Sequence, residues 1–546
     1  MYTFSSKLKT FSFILMILGV LGIGYSFFTA PKTVEDVEKI LAADAHHDGH
    51  HGDAAHHDAT DNASKDAHVH TTQDVHSNDA QQKDATDHPI HDEQDHAENA
   101  DRHITGTPGH EGPADAKGTE ADTVDAAQAL PAGKSDIATA DNQAAGAAEA
   151  TQEHHSAAEA HAAHGADAHA EHDAHAEHQE HLEHVLHQLQ NKPWAAVYVA
   201  AIFFMLISLG ALAFYAIQYA AQSGWSPILF RVMEGITSYL LPGSIIFFIL
   251  LLLGAFHVHH LFVWMDPEVV KEDALIQGKS GYLNIPFFLI RAVIFLAGWN
   301  LYRFFSRRNS IANDEASDLT LYKKNFKMSA AFLVFFIVTE SIMSWDWIMS
   351  VDPHWYSTLF GWYVFASFFV SGITTIAMIT VFLKSQGFLP QVNTSHLHDL
   401  AKFMFGISIF WTYLWFSQFM LMWYANIPEE VTYFVTRIEE YNLPFFGMLA
   451  MNFIFPVLIL LNTDFKRLSW IIVMAGIVIL CGHYIDFFNM IMPATVGDQW
   501  FIGAGEIGAI LFFFGLFIFV VFTALTKAPL IVKRNPYLEE SKHFHY

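Results

Sequence analysis

Nine apolar stretches follow one another after Pro193, at about 195–221, 235–256, 284–305, 327–349, 359–384, 400–426, 443–462, 469–492 and 503–526. Each is near the ~20 residues an α-helix needs to cross a bilayer. A tenth, Phe11–Phe28, stands near the start behind Lys7 and Lys9. Only helices and closed barrels span hydrocarbon, because backbone polar groups find no water there. The sequence therefore predicts an all-α integral membrane protein of ten transmembrane helices, whose short connections favour antiparallel bundles. The first stretch reads as a retained helix, since Phe28 sits where signal cleavage needs a small residue and Pro31 would follow the cut.

Composition agrees with lipid-facing helices: 52% of the residues are hydrophobic and 49 are Phe. The formal charge of -27 comes from acids crowded before residue 190, and it argues against nucleic-acid binding, which needs a basic surface. Cys481 is the single Cys and no C-x-x-C-H occurs. A c-type haem or an iron–sulfur cluster is therefore not held by this chain, and electron-transfer cofactors would belong to partners.

Between Pro31 and about Gln190 the chain is rich in Ala, Asp, His, Gln, Gly and Thr. Such a segment cannot bury enough apolar surface to offset chain entropy, so a disordered tether is expected. Nine of the 34 His follow residue 190, and the other 25 fall in this tether. His169, His172, His175, His178, His181, His184 and His187 recur every third residue. On a helix, such neighbours could chelate a metal in pairs; a solvated spacer is the plainer reading. The expected organisation is a helix over 1–30, the tether over 31–190, a nine-helix body over 191–528 and a tail over 529–546.

Lys and Arg set the orientation. With the N-terminus inside, Arg307, Arg308, Lys323, Lys324, Lys466, Arg467, Lys527, Lys533 and Arg534 are inside too, and the opposite loops are acidic. Both termini are expected in the cytoplasm and the His-rich tether on the outer face.

Ionisable residues inside such spans are expensive and mark polar sites. The hairpin Ser344–Ser357 carries Asp346, Asp352 and His354 between the fifth and sixth spans, and Glu340 precedes it at membrane depth. Arg291, His257, the i,i+3 pair His483 and Asp486, and Glu506 fall in the same outer half. These are candidates for a proton path or a quinone-facing cavity; inert ion pairs, such as Arg291 with Glu340, are the alternative. Inner-side proton-entry candidates are His396, His398, Asp399, Lys402 and Asp464. His257 with His483 is a weaker candidate pair for a b-type haem. The run Trp411, Tyr413, Trp415, Phe416, Phe419, Trp423 and Tyr424 either lines an apolar quinone channel or faces lipid.

The hairpin Ser344–Ser357, the following Leu359–Ser367 and the tail Lys533–Ser541 resemble the F subunit of alternative complex III. That complex is a bacterial quinol:cytochrome c (or oxidase) oxidoreductase of the inner membrane, and the subunit belongs to the polysulfide-reductase membrane-subunit (NrfD-like) superfamily. The resemblance covers roughly residues 193–546 and leaves the tether outside. It implies two four-helix bundles with a flanking helix at each end. It also implies no redox centre in this chain and a role in quinol binding, proton conduction or both, the molecule concerned being a quinone or quinol (menaquinone or another type) whose better-supported site lies in the homologous C subunit. The partners it implies are a homologous membrane C subunit, an iron–sulfur subunit and multihaem cytochrome c subunits, with a terminal oxidase as a further associate. A scaffold subunit with inert ion pairs, and a metal- or proton-linked transporter, are the other function classes open to the sequence.

Overall fold

The computed structural model describes residues 2–42 and 158–545; the part of the expected tether at 43–157 lies outside the described residues. Ten helices are long and apolar enough to cross a membrane. They are α1 (Ser6–Thr29), α3 (Ala158–Ala220), α4 (Pro227–Ala255), α5 (Ile285–Asn313), α6 (Thr320–Trp347), α7 (Phe360–Ser385), α8 (Thr394–Ala425), α10 (Asn442–Leu460), α11 (Ser469–Val496) and α12 (Ala504–Leu525). A short helix, α2, covers 34–42, and another, α9, covers Pro428–Glu439. No strand occurs among the described residues.

The spanning helices alternate in direction. Tyr2 meets Phe388 and Phe522, so the start of α1 shares a face with the end of α12 and the α7–α8 loop. That side is called the tail face below, and the other, with residues 348–359, the hairpin face. Helices α3 to α6 form one bundle and α7, α8, α10 and α11 the second. The two flanking helices, α1 and α12, do not bracket the molecule; they pack on each other, with Gly22 against Gly508.

Two helices are enclosed by the rest: α3, whose apolar window is 94% buried, and α7, at 89%. Each opens one bundle, and they cross where Gly210 faces Gly372. A Cβ on Gly210 would lie 2.4 Å from the Phe368 carbonyl oxygen, and one on Gly372 would lie 2.6 Å from the Ala211 nitrogen. Both obstacles are backbone, so neither could swing away. The absence of a side chain is what lets the two bundles meet.

Composition misjudged the ends of the tether. Residues 158–190 continue α3 as helix through Pro193, where coil was expected. The reason is a stripe, Leu182, Val185, Leu186 and Leu189, at the 3–4 residue spacing of one helix face. It packs with Val34, Val37 and Leu41 of α2 into a small apolar cluster beyond the membrane. Likewise 427–442, expected to be loop, contains α9: Pro428 opens it, Glu429 and Glu430 fill its first turn, Arg437 its last, and it buries Tyr433, Phe434 and Arg437.

The Gly crossing gives a direct test. Gly372→Val should cost at least about 1–3 kcal/mol through overpacking and lower the thermal midpoint of the detergent-purified protein. Gly278→Ala, where a Cβ meets nothing within 4 Å, should leave the midpoint unchanged. Equal midpoints for the two variants would show that the bundles do not depend on this contact.

Candidate functional site

The expected outer-half residues divide into three separate places. In the first bundle, Asp346 near the end of α6 is closed by Arg291 of α5. Arg291 Nε donates to Asp346 Oδ2 at 2.6 Å and Nη2 to Oδ1 at 2.9 Å, and Tyr282 Oη donates to Oδ1 at 2.8 Å. The guanidinium also lies 4.0 Å from the Tyr282 ring and 4.2 Å from that of Phe287. Burial first, and then the Asp346 carboxylate, push the Tyr282 phenol above its ordinary range. The inert alternative pictured an ion pair of Arg291 with Glu340; the structure gives Arg291 to Asp346 instead. Six residues separate the two acids, about 9 Å along a helix, so their order along the chain could not decide which one the Arg meets.

Among the described residues no cation pairs with Glu340. Ser341 Oγ donates to Oε1 at 2.7 Å, while Oε2 is buried without a hydrogen-bond partner. It is 1% exposed, on the inward side of α6 with Thr339, Met343 and Ser344. A carboxyl with one oxygen unfilled can hold a proton and pass it on.

The second bundle holds the other pair. Asp486 Oδ2 accepts from Trp411 Nε1 at 2.8 Å, and Oδ1 accepts from the Tyr363 hydroxyl. His483 Nδ1 lies 3.5 Å from Oδ2, 2.9 Å from Ser367 Oγ and 3.4 Å from Asn452 Nδ2. His483 Nε2 has no hydrogen-bond partner, and Asn452 Oδ1 has none either. Asn452 lies in a π-helical turn, Ala450–Ile454, just before Pro456, whose ring would clash with the carbonyl four residues back in a regular helix. Gly482 makes room, since a Cβ there would sit 2.1 Å from Asn452 Oδ1.

Arg437 of α9 reaches the same region and was missed by the sequence reading. It stacks 3.4 Å from the Tyr433 ring, which itself stacks on Trp355 of the hairpin at 4.0 Å. Its Nε donates to the Asn489 carbonyl at 2.9 Å. That acceptor is free because Pro493, four residues on, has no N–H to offer it. The signal for it in the sequence was Pro493, which withholds an N–H from the carbonyl four residues before it.

The remaining candidates lie elsewhere. Glu506 caps its own helix, Oε2 accepting from Gly503 N at 2.8 Å. His257 is exposed on a left-handed turn (φ 57°) beside His260, whereas His483 is enclosed in the second bundle, so the two do not face each other across a haem slot. His354 is exposed and pairs with Asp273 at 2.5 Å, and Asp352 lines a cavity of about 450 Å³ with Lys279, Tyr282, Trp345 and Trp355. Of the aromatic run, Tyr413, Phe416, Trp423 and Tyr424 are exposed, while Trp411 serves Asp486.

On the tail face His396 caps α8 with Asn393 and meets the Ser541 carbonyl at 3.0 Å, tying down the C-terminal segment. Asp399 pairs with Lys402 at 2.6 Å, beside His398, and Asp464 is exposed in a loop. The sequence reading overlooked a buried cluster on this face: Arg231 with Glu234 at 2.7 Å and Asp314 at 2.6 Å, and Tyr215 donating to Glu234 at 3.1 Å.

The side chains of His169, His172 and His175 lie outside the described residues; His178, His181, His184 and His187 are exposed along α3. Among the described residues no group of three or more His, Cys, Asp or Glu could hold a metal ion. Searches against models of known protein families and against curated protein sequences find no match for this chain.

Removing one partner of a buried ion pair strands the other. Asp346→Asn should therefore cost about 3–5 kcal/mol, read as a lowered unfolding midpoint, and Arg291→Met in the same chain should recover most of it. A double variant no better than the single one would argue against the pair as the source. The tie between His354 and Asp273 predicts a pH effect. The Ile276 backbone N–H first, and then His354, hold Asp273 below the usual carboxylate range. A lowered folded-state value means the tie contributes fully at neutral pH and is lost as pH falls through that value. Hydrogen exchange of 270–283 and 352–357, corrected for intrinsic rates, should show opening only below about pH 4. Protection that does not change with acidification would remove the tie from the loop's stability.

Proposed function

We propose that this chain is the proton-handling membrane subunit of a quinol-oxidising respiratory complex, of the kind its hairpin and tail resemble, with no redox centre of its own. The observation that carries this reading is Glu340: a carboxyl buried in a transmembrane helix with no counter-ion and one oxygen unfilled. The enclosed His483, with Nε2 unpartnered beside Asp486, is a second group of the same kind. Oxidation of a quinol to a quinone releases two protons and two electrons. In this proposal Glu340 and His483 take up and pass on protons near the hairpin face, and iron–sulfur and haem c centres of the partner subunits take the electrons. The membrane would be the bacterial inner membrane, with both termini cytoplasmic. A second reading, a scaffold subunit, is favoured by a different observation: Arg291–Asp346 and Arg231–Glu234–Asp314 are closed clusters whose carboxylates are spoken for.

Glu340→Gln in the assembled complex separates the two. The proton-handling reading expects at least about a tenfold fall in quinol turnover or in proton release per electron, within the range of general acid–base effects. Full turnover with unchanged proton release would leave the scaffold reading standing. The scaffold reading in turn expects a complex lacking this subunit to keep its turnover while losing assembly.

A further inference from the structure

The tail-face cluster has one positive charge too many. Among the described residues, Arg231, Arg303 and Arg307 lie there with two acids, Glu234 and Asp314. Arg231 takes both carboxylates. Arg307 spends its Nη1 on the Glu234 carbonyl at 2.9 Å and Ser238 Oγ at 2.6 Å, and its Nη2 on the Ala524 carbonyl at 2.8 Å. Arg303, one turn earlier on α5, has Nε and Nη1 buried with no acceptor, and no ion pair of Arg303 occurs among the described residues. A guanidinium in a spanning helix is normally paired or carried to the headgroup level.

Register shows what surrounds it. Asn300 Nδ2 donates to Ser244 Oγ at 2.9 Å, and Arg307 reaches Ser238, so these two bonds bracket Arg303 opposite Leu241 of α4. The side chains on either side of this seam are apolar and exposed: Leu241 and Ile245 on α4, Leu301, Phe304 and Phe305 on α5. One turn beyond Arg307, α5 approaches its end at Asn313, which places Arg303 near the boundary of the tail-face leaflet. A water-soluble anion would have to cross that apolar rim. A lipid meets it with acyl chains and delivers its phosphate from the side.

We infer that the α4–α5 seam at Arg303 binds the phosphate of an anionic phospholipid, whose acyl chains lie along Leu241, Ile245 and Phe304. A phosphate suits this group, because a guanidinium N–H makes a charge-assisted hydrogen bond to a phosphate oxygen, here from Nη2, since Nε and Nη1 are buried. Basic pockets between spanning helices bind such headgroups generally. The proposal does not rest on the proton-handling reading, which gives Arg303 no role.

The test uses the full chain, purified in mild detergent and stripped of lipid. Native mass spectrometry and thermal unfolding are read with phosphatidylglycerol or cardiolipin, with phosphatidylcholine, and with inorganic phosphate. Wild type should bind the anionic lipids about tenfold more tightly than phosphatidylcholine and unfold at higher temperature with them. Arg303→Gln should lose that preference, Arg303→Lys should keep part of it, and Arg308→Gln, an exposed neighbour, should keep all of it. Inorganic phosphate should give no protection. Equal anionic preference in Arg303→Gln overturns the proposal. So does equal protection by free phosphate, which would make the site one for a soluble anion. Lack of any lipid preference in wild type also overturns it, and points to a carboxylate from a partner protein. Should Arg303→Gln not fold, the wild-type lipid series with Arg303→Lys still decides.

Discussion

Inside a bilayer a polar group has no water to fall back on, and this constraint governs how every helix here is rotated. Asp346 lies where three donors from Arg291 and Tyr282 converge on two oxygens. Asp486 collects Tyr363 and Trp411 from two neighbouring helices. Each such closure fixes the facing angle of the helices that contribute to it, and so does as much as apolar packing to make one arrangement of the bundle preferred. Lipid tails resemble Leu and Phe side chains too closely for hydrophobicity to choose which face turns inward.

The same constraint extends to the backbone. Where a proline withholds its N–H, an acceptor appears inside the protein and something must fill it. Pro493 frees the Asn489 carbonyl and Arg437 takes it, which draws α9 down onto the second bundle and brings Tyr433 under Trp355. Pro456 is accommodated by a π-helical turn that also turns Asn452 toward His483. Proline positions in this chain are thus devices that bring polar groups together at depth.

The ten spans were legible because bilayer thickness fixes a length, and length survives in one dimension. Pairing did not survive in the same way. Glu340 and Asp346 stand on one helix and both were plausible partners for Arg291; a rotation of the helix decides between them, and rotation is a sum over all neighbours. The tail-face cluster was invisible for a related reason. Arg231 and Glu234 look like surface charges flanking a span until Asp314, over eighty residues later, completes them. The tether misled through averaging: its composition is that of a coil, but four apolar residues at helical spacing, Leu182 to Leu189, outweigh the average once α2 offers them a partner. The left-handed turn that puts His257 in the open is likewise a loop property with no periodic signature.

What separates a structural charge from a working one in such a molecule is how many of its hydrogen-bonding positions are filled. Asp346 has both oxygens occupied, by a guanidinium that cannot release its proton and a phenol whose proton is held tightly, so it has little capacity to exchange one. Glu340, on the same helix about 9 Å deeper, has one oxygen filled by a hydroxyl and one empty. A hydroxyl can donate or accept, and an empty oxygen can take a proton without first breaking a bond. The two acids therefore differ in their neighbours as well as in depth. Among the cations the same comparison sets Arg231, whose Nη1 and Nη2 meet Glu234 and Asp314 while its Nε stays unfilled, against Arg303, whose Nε and Nη1 both lack an acceptor.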